Sequence, residues 1–209
     1  MIVSDPPASF YFDLSSPEAY LAAERILHVL PGPAEWQPVL AAQLPGANAD
    51  RTLGGPQHED QEAFCAGIAA RARGLGLQQL RWPDPFPFDS TLAMRVATYA
   101  KSIGRAVPFA QAAFRQAFAG GHSLEQSDHV LIAAAACEMH PAAVLRGSEL
   151  RSVERELSAA TARAARAEII DVPAVRVGGR VFLGERGLED AAAYMSASPV
   201  SASSPAVSS

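Results

Sequence analysis

From Phe10 to Tyr20 the chain reads Phe-Tyr-Phe-Asp-Leu-Ser-Ser-Pro-Glu-Ala-Tyr, and its hydrophobic period changes part-way along. Phe10, Phe12 and Leu14 alternate with Tyr11 and Asp13, the two-residue repeat of a strand, whereas Ala19, Ala22 or Ala23, Ile26, Leu27 and Leu30 recur at helical spacing. The pattern predicts a strand over 9–14 running straight into a helix over 17–30, which Pro31-Gly32-Pro33 stops. Ser16 is placed to cap that helix, and Pro17 suits a first turn, where a missing N–H costs nothing. Such an elbow sets a hydroxyl beside unpaired N–H groups and the positive end of the helix dipole, an environment that favours an anion, a thiolate included. Ser-Pro-Glu also opens helices for capping alone, so the elbow gains functional weight only with a second feature.

That feature lies far downstream. Asp171 to Gly184, with Val172-Pro173-Ala174-Val175-Arg176-Val177 before Gly178-Gly179 and Arg180-Val181-Phe182-Leu183 after it, reads as a Pro-led strand, a tight turn and a second strand. A helical stretch, 188–195, follows. Near the N-terminus, Glu35 to Ala41 predicts another strand, and Pro38 inside it requires a sheet edge. Residues 57–168 are helical in pattern. Phe64, Ile68, Leu75 and Leu77 suggest one helix; others are expected over 90–103, 109–118, 127–139 and 141–145. A longer one over 148–168 has Leu150, Val153 and Leu157 on its buried face. Trp82 to Phe88 is too proline-rich to be helical, and its aromatics suit either a pocket wall or a plug between lobes.

In this order the two motifs resemble the DsbA-like thioredoxin-fold superfamily, and within it the branch of 2-hydroxychromene-2-carboxylate isomerases and kappa-class glutathione transferases. The resemblance implies an α/β thioredoxin-like fold with a large helical insertion, about 57–168, between an N-terminal βαβ and a C-terminal ββα. One domain over 9–195 is expected, with a flexible leader over 1–8 and a Ser/Ala-rich disordered tail over 196–209. DsbA-like disulfide oxidases carry Cys-Pro-x-Cys at the elbow, where this chain has Ser16, Pro17, Glu18 and Ala19. No sulfur stands there to form a mixed disulfide. A serine matches the glutathione-using branch instead, where the hydroxyl donates to the thiolate of bound glutathione and helps lower a thiol pKa that is ordinarily ~8.5.

The same resemblance assigns the remaining site residues. Pro17 opens the helix beside the thiol. Pro173 corresponds to a proline that is cis in thioredoxin-like folds and packs on the elbow, although a trans proline is the commoner case at a strand start. Val172 before it would offer its backbone to extended glutathione as an added strand. After the hairpin the glutathione-using families read Gly-x-Asp-Arg-Leu, the acid meeting the γ-glutamyl ammonium. Here the text is Gly184-Glu185-Arg186-Gly187-Leu188, which puts Arg186 at the acid's position and leaves Glu185 as its substitute, or points to another thiol.

Composition narrows the partners. The chain has 209 residues, 49% of them hydrophobic, and a net charge of −5 without a basic run, which argues against nucleic acid and anionic membrane. No apolar run reaches the ~20 residues of a membrane span and the N-terminus lacks the pattern of a secretion signal, so a cytoplasmic location is expected. His28, His58, His122, His129 and His140 show no metal spacing, and Cys65 and Cys137 read as small core residues far apart in sequence.

Three function classes follow: a thiol-dependent isomerase of an aromatic-degradation product, a glutathione transferase, or a binding protein that kept the fold without the chemistry. The isomerase is preferred on the resemblance, with glutathione or another low-molecular-weight thiol as cofactor, an electrophilic or aromatic-derived substrate, no metal, and a homodimer. Because the working sulfur in this scheme belongs to the cofactor, replacing both Cys65 and Cys137 with Ala is expected to leave thiol-dependent turnover largely intact. A large loss of turnover in a variant that circular dichroism shows to be folded would overturn the scheme.

Overall fold

The structure, a computed structural model, describes residues 8–47 and 58–197. Strand β1 (Ala8–Phe12) leads through the elbow into helix α1 (Pro17–Val29), strand β2 (Ala34–Pro38) and a short 3-10 turn (Ala41–Gln43). Among the described residues six helices follow: α2 (His58–Gly74), α3 (Thr91–Ser102), α4 (Ala106–Phe118), α5 (Ser127–Ala135), α6 (Pro141–Ser148) and α7 (Arg151–Arg166). The chain then returns as β3 (Ala174–Val177), β4 (Arg180–Leu183) and α8 (Gly187–Ala197). Sheet order is β2-β1-β3-β4, with β1 parallel to β2 and antiparallel to β3, and β3 antiparallel to β4. Pro38 therefore lies on an edge strand, as its missing N–H demands. This is a thioredoxin-like α/β fold with helices α2 to α7 inserted between βαβ and ββα.

Alternation along the strands divides the core. Phe10, Phe12, Trp36 and Val175 belong to one cluster with α1 and the insertion helices, while Tyr11, Ala174 and Val181 join Val39, Ala164, Ile169 and Val172 in another. Aromatic rings stitch the first cluster together. Phe12 lies 5.6 Å from Trp36 and 5.9 Å from Phe114, and Tyr20 lies 5.6 Å from Phe118. The 82–88 loop acts as a plug: Trp82, Phe86 and Phe88 all stand against Phe118, at 6.1, 6.3 and 6.4 Å, and Arg81 N–H donates to the Phe118 carbonyl.

Several boundaries differ from those the periodicity predicts. β1 ends at Phe12, because Leu14 N–H turns to the sulfur of Met94 and Ser16 N–H closes onto the Asp13 carbonyl. β2 ends at Pro38, before the 3-10 turn. Leu75 and Leu77 lie beyond α2, which a Schellman turn closes: Gly76, at φ +69, donates to Arg73 and Leu77 donates to Ala72. Helices α5 and α7 end in the same way around Glu138 and Glu168, at φ 60 and 64. α4 starts at Ala106, since Pro108 is tolerated in a first turn. α6 runs on to Ser148, so that Leu150 caps α7 and is 51% exposed; the buried face of α7 is Val153, Leu157, Ala160, Thr161 and Ala164. Ala8 belongs to β1, and Ser196 and Ala197 to α8; the rest of the expected leader and tail lies outside the described residues.

Burial, with the Glu24 carboxylate adding to it and Arg115 opposing it, pushes the Tyr20 phenol up to about 12. The folded state therefore holds this proton more tightly than the unfolded chain, whose phenol ionises near pH ~10. Stability is unaffected by this group below pH ~10 and falls as pH rises from about 10 to 12, by roughly 2–3 kcal/mol in total. Urea unfolding should show that alkaline loss diminished in Tyr20→Phe.

Candidate functional site

Ser16 occupies the N-cap of α1 with extended backbone, φ −89 and ψ 113, and its Oγ accepts from Ala19 N–H at 3.1 Å. Below it, the Asp13 carboxylate is 2% exposed. One of its oxygens accepts from Ser15 N–H (3.0 Å) and Ser15 Oγ–H (2.9 Å), and the other from Ala41 N–H (2.9 Å) in the 3-10 turn. A serine hydroxyl has one proton and two lone pairs. Ser15 commits its proton to Asp13, whereas Ser16 uses a lone pair for capping and keeps a proton without an acceptor among the described residues. Both serines are half-buried at the helix N-terminus, so Ser16 can donate to an anion there.

The hairpin brings its residues to the same end of the sheet. Extending the β1–β3 register one step past Tyr11↔Ala174 sets Pro173 opposite Phe12, where the elbow begins. The Val172-Pro173 peptide is cis, and the Pro173 carbonyl accepts from Gly184 N–H at 2.8 Å. Val172 is buried, and its N–H donates to Asp171 Oδ1 at 2.8 Å rather than pointing free at a ligand, because the aspartate side chain folds back on the next amide. Pro17 is buried at the first position of α1.

Glu185 and Arg186 part company. Glu185, with a side chain only 12% exposed, is held by Arg25 of α1 (3.4 Å) and Arg71 of α2 (3.7 Å). Arg71 also reaches Glu18 (3.1 Å), and Arg25 pairs with Glu189 of α8. This charge network ties α2 and α8 to the first and third turns of α1. Arg186 is exposed, without an ion-pair partner among the described residues. Sequence reasoning singled out neither Arg25 and Arg71 nor Asp13. Two arginines spaced far from any acid carry no local signal, and Asp13 stands at a strand position that reads as solvent-facing.

Two concavities, about 240 and 210 Å³, lie elsewhere. One is at the far end of α1, lined by Leu27, Leu30 and Trp36, and the other lies beside β2 at Pro38, Lys101 and Glu156. Neither includes the free hydroxyl that gives the elbow its chemistry. Cys137 is buried and Cys65 partly so; both are free thiols whose pKa burial pushes up, which keeps them protonated at neutral pH. No described helix is long and apolar enough to cross a membrane. Among the described residues no three His, Cys, Asp or Glu side chains gather as a metal-ligand set.

A family model described as the DSBA-like thioredoxin domain matches residues 9–196. The chain belongs to that family. This DSBA-like chain is similar in fold to a 2-hydroxychromene-2-carboxylate isomerase, at 16% identity and TM-score 0.77 over 91% of this chain and 95% of the other. It is similar also to a probable DsbA oxidoreductase from Streptomyces coelicolor, at 18% identity and TM-score 0.73 over 92% and 91%. A cytosolic disulfide reductase, DsbM, from Pseudomonas aeruginosa follows at 13% identity and TM-score 0.62 over 91% and 97%. No curated protein matches the sequence. At these identities the likeness is one of fold.

The cap bond of Ser16 has an expected cost of its own. Ser16→Ala should lower stability by about 1 kcal/mol in denaturant unfolding, with or without a thiol present. An unchanged midpoint would mean that the cap bond contributes nothing.

Proposed function

We propose that this DSBA-like protein is a thiol-dependent isomerase in which Ser16 stabilises the thiolate of a bound low-molecular-weight cofactor. The observation that carries the reading is the unspent Ser16 proton at the α1 N-terminus, in a chain whose elbow holds no cysteine. A donor and a helix dipole at one point favour the charged form of a thiol. Dithiol exchange at this site lacks a sulfur to carry it, so the disulfide chemistry in the names of two fold neighbours does not extend to the elbow here. When bound, the thiol supplies a nucleophile for reversible addition to a conjugated double bond, which frees rotation about it. The chain's own part is to hold the sulfur at Ser16, to keep it charged, and to enclose it between Pro17 and the Pro173 end of the hairpin.

The thiol end of glutathione fits these residues better than its γ-glutamyl end. Glu185 is engaged by Arg25 and Arg71, and Arg186 presents a positive charge where an ammonium would arrive. This favours a thiol without an ammonium at that end, or glutathione bound weakly. A transferase would share the Ser16 chemistry but consume the thiol, and thiol titration during turnover separates the two.

Ser16→Ala removes one charge-assisted hydrogen bond, on the order of 1.5–3 kcal/mol, or roughly 10–150-fold in the thiolate-dependent step. Thiolate absorbance against pH should show the bound thiol's pKa raised. Arg186→Asp should tighten glutathione binding in calorimetry by restoring an opposite charge near the ammonium. If neither variant moves thiol pKa, rate or glutathione affinity, the thiol reading fails and a non-catalytic binding protein becomes the better one.

A further inference from the structure

The two adjacent serines at the elbow are chemically alike and both half-buried, so something must decide which of them serves an anion at the helix N-terminus. The hydrogen bonds around Asp13 supply the answer. Its carboxylate, buried beneath the turn, accepts from Ser15 Oγ–H at 2.9 Å, from Ser15 N–H at 3.0 Å and from Ala41 N–H at 2.9 Å, while its backbone carbonyl accepts from Ser16 N–H at 3.0 Å. A carboxylate has only acceptors, so each donor facing it is oriented inward and withdrawn from the mouth. Ser15 is thereby silenced, and its lone pairs would repel a thiolate. Ser16 hangs from the same residue through its N–H, yet its side chain escapes the carboxylate and keeps its proton.

We propose that Asp13 is a positioning residue that makes Ser16, and not Ser15, the sole hydroxyl donor at the elbow; this rests on the thiol reading above. The carboxylate also fixes the direction of that donor, since its second oxygen anchors the elbow to the 3-10 turn after β2. Its charge works against the task. A buried anion three residues from Ser16 raises the cost of a thiolate, so the arrangement gives up some thiolate stability for a single, fixed donor.

The test uses the full chain with glutathione and, as a thiol lacking an ammonium, 3-mercaptopropionate. Thiolate absorbance against pH gives the bound thiol's pKa, and amide hydrogen exchange gives the state of the turn without any thiol. Ser15→Ala, a small change at a half-buried position, should leave the thiol pKa unmoved, while Ser16→Ala raises it by about one unit or more. Asp13→Asn cannot accept from all three donors, so exchange at Ser15 or Ala41 should quicken, by about 10-fold for a lost bond. Asp13→Ala, which removes every side-chain acceptor, frees the Ser15 proton and takes away a nearby charge; the thiol pKa should fall, and adding Ser15→Ala should reverse part of the fall. An Asp13 that merely stabilises the fold would lower the melting point and leave thiol pKa the same in every Ser15 background. The proposal is overturned if Ser15→Ala raises the thiol pKa as Ser16→Ala does, or if exchange at both Ser15 and Ala41 is unchanged in Asp13→Asn. Should no thiolate band form on the wild-type chain, the thiol reading falls by itself, and the exchange data alone decide the role of Asp13 in the turn.

Discussion

The Asp13 carboxylate lies under the point where a strand becomes a helix, and the site depends on it. Leaving a strand for a helix within four residues forces the N–H groups of Ser15 and Ser16 away from the ladder, and burial forbids leaving them unpaired. Asp13 takes both, one through its side chain and one through its carbonyl, and reaches the Ala41 N–H with its other oxygen. A buried carboxylate is tolerable only when hydrogen-bonded in this way. The elbow and the turn after β2 are thereby a single unit, and α1 leaves the sheet in a direction set by hydrogen bonds.

What α1 then does follows from its faces. Tyr20 and the alanines and leucine around it pack into the aromatic core with Phe114 and Phe118, while Glu18 and Arg25 face the charge network of Arg71, Glu185 and Glu189. One helix thus binds the insertion through apolar area and binds the C-terminal turn through charge. Pairs that are partly exposed contribute about 0–1 kcal/mol each, so their weight lies in orientation more than in stability. The consequence reaches the site: with Glu185 occupied by two guanidinium groups, the turn after β4 presents Arg186 outward, and its electrostatics differ from those of a site with a free acid there.

The strand-to-helix elbow, the Gly-Gly hairpin, the edge position of β2 and the cis proline were legible in the chain or in its family likeness. Helix ends were less so. Gly76 marks the close of α2, but α5 and α7 close on Glu138 and Glu168, residues with no local reason to adopt positive φ; there Met139 and Ile169, both buried, donate back to Ala134 and Ala164. Leu150 shows the same limit, since helical spacing cannot tell an apolar cap from an apolar face.

The sequence by itself determined the fold class and the place of Ser16, because both rest on local patterns: a change of hydrophobic period, a capping residue before a proline, and a glycine pair between strands. Only the tertiary structure decided which hydroxyl is free, which amide is taken, and where the charges of residues 185 and 186 go. Those depend on partners brought from 28 residues away at Ala41 and 160 away at Arg25 and Glu185. A hydrogen bond or ion pair has no sequence signature when its two halves meet only after the chain has packed.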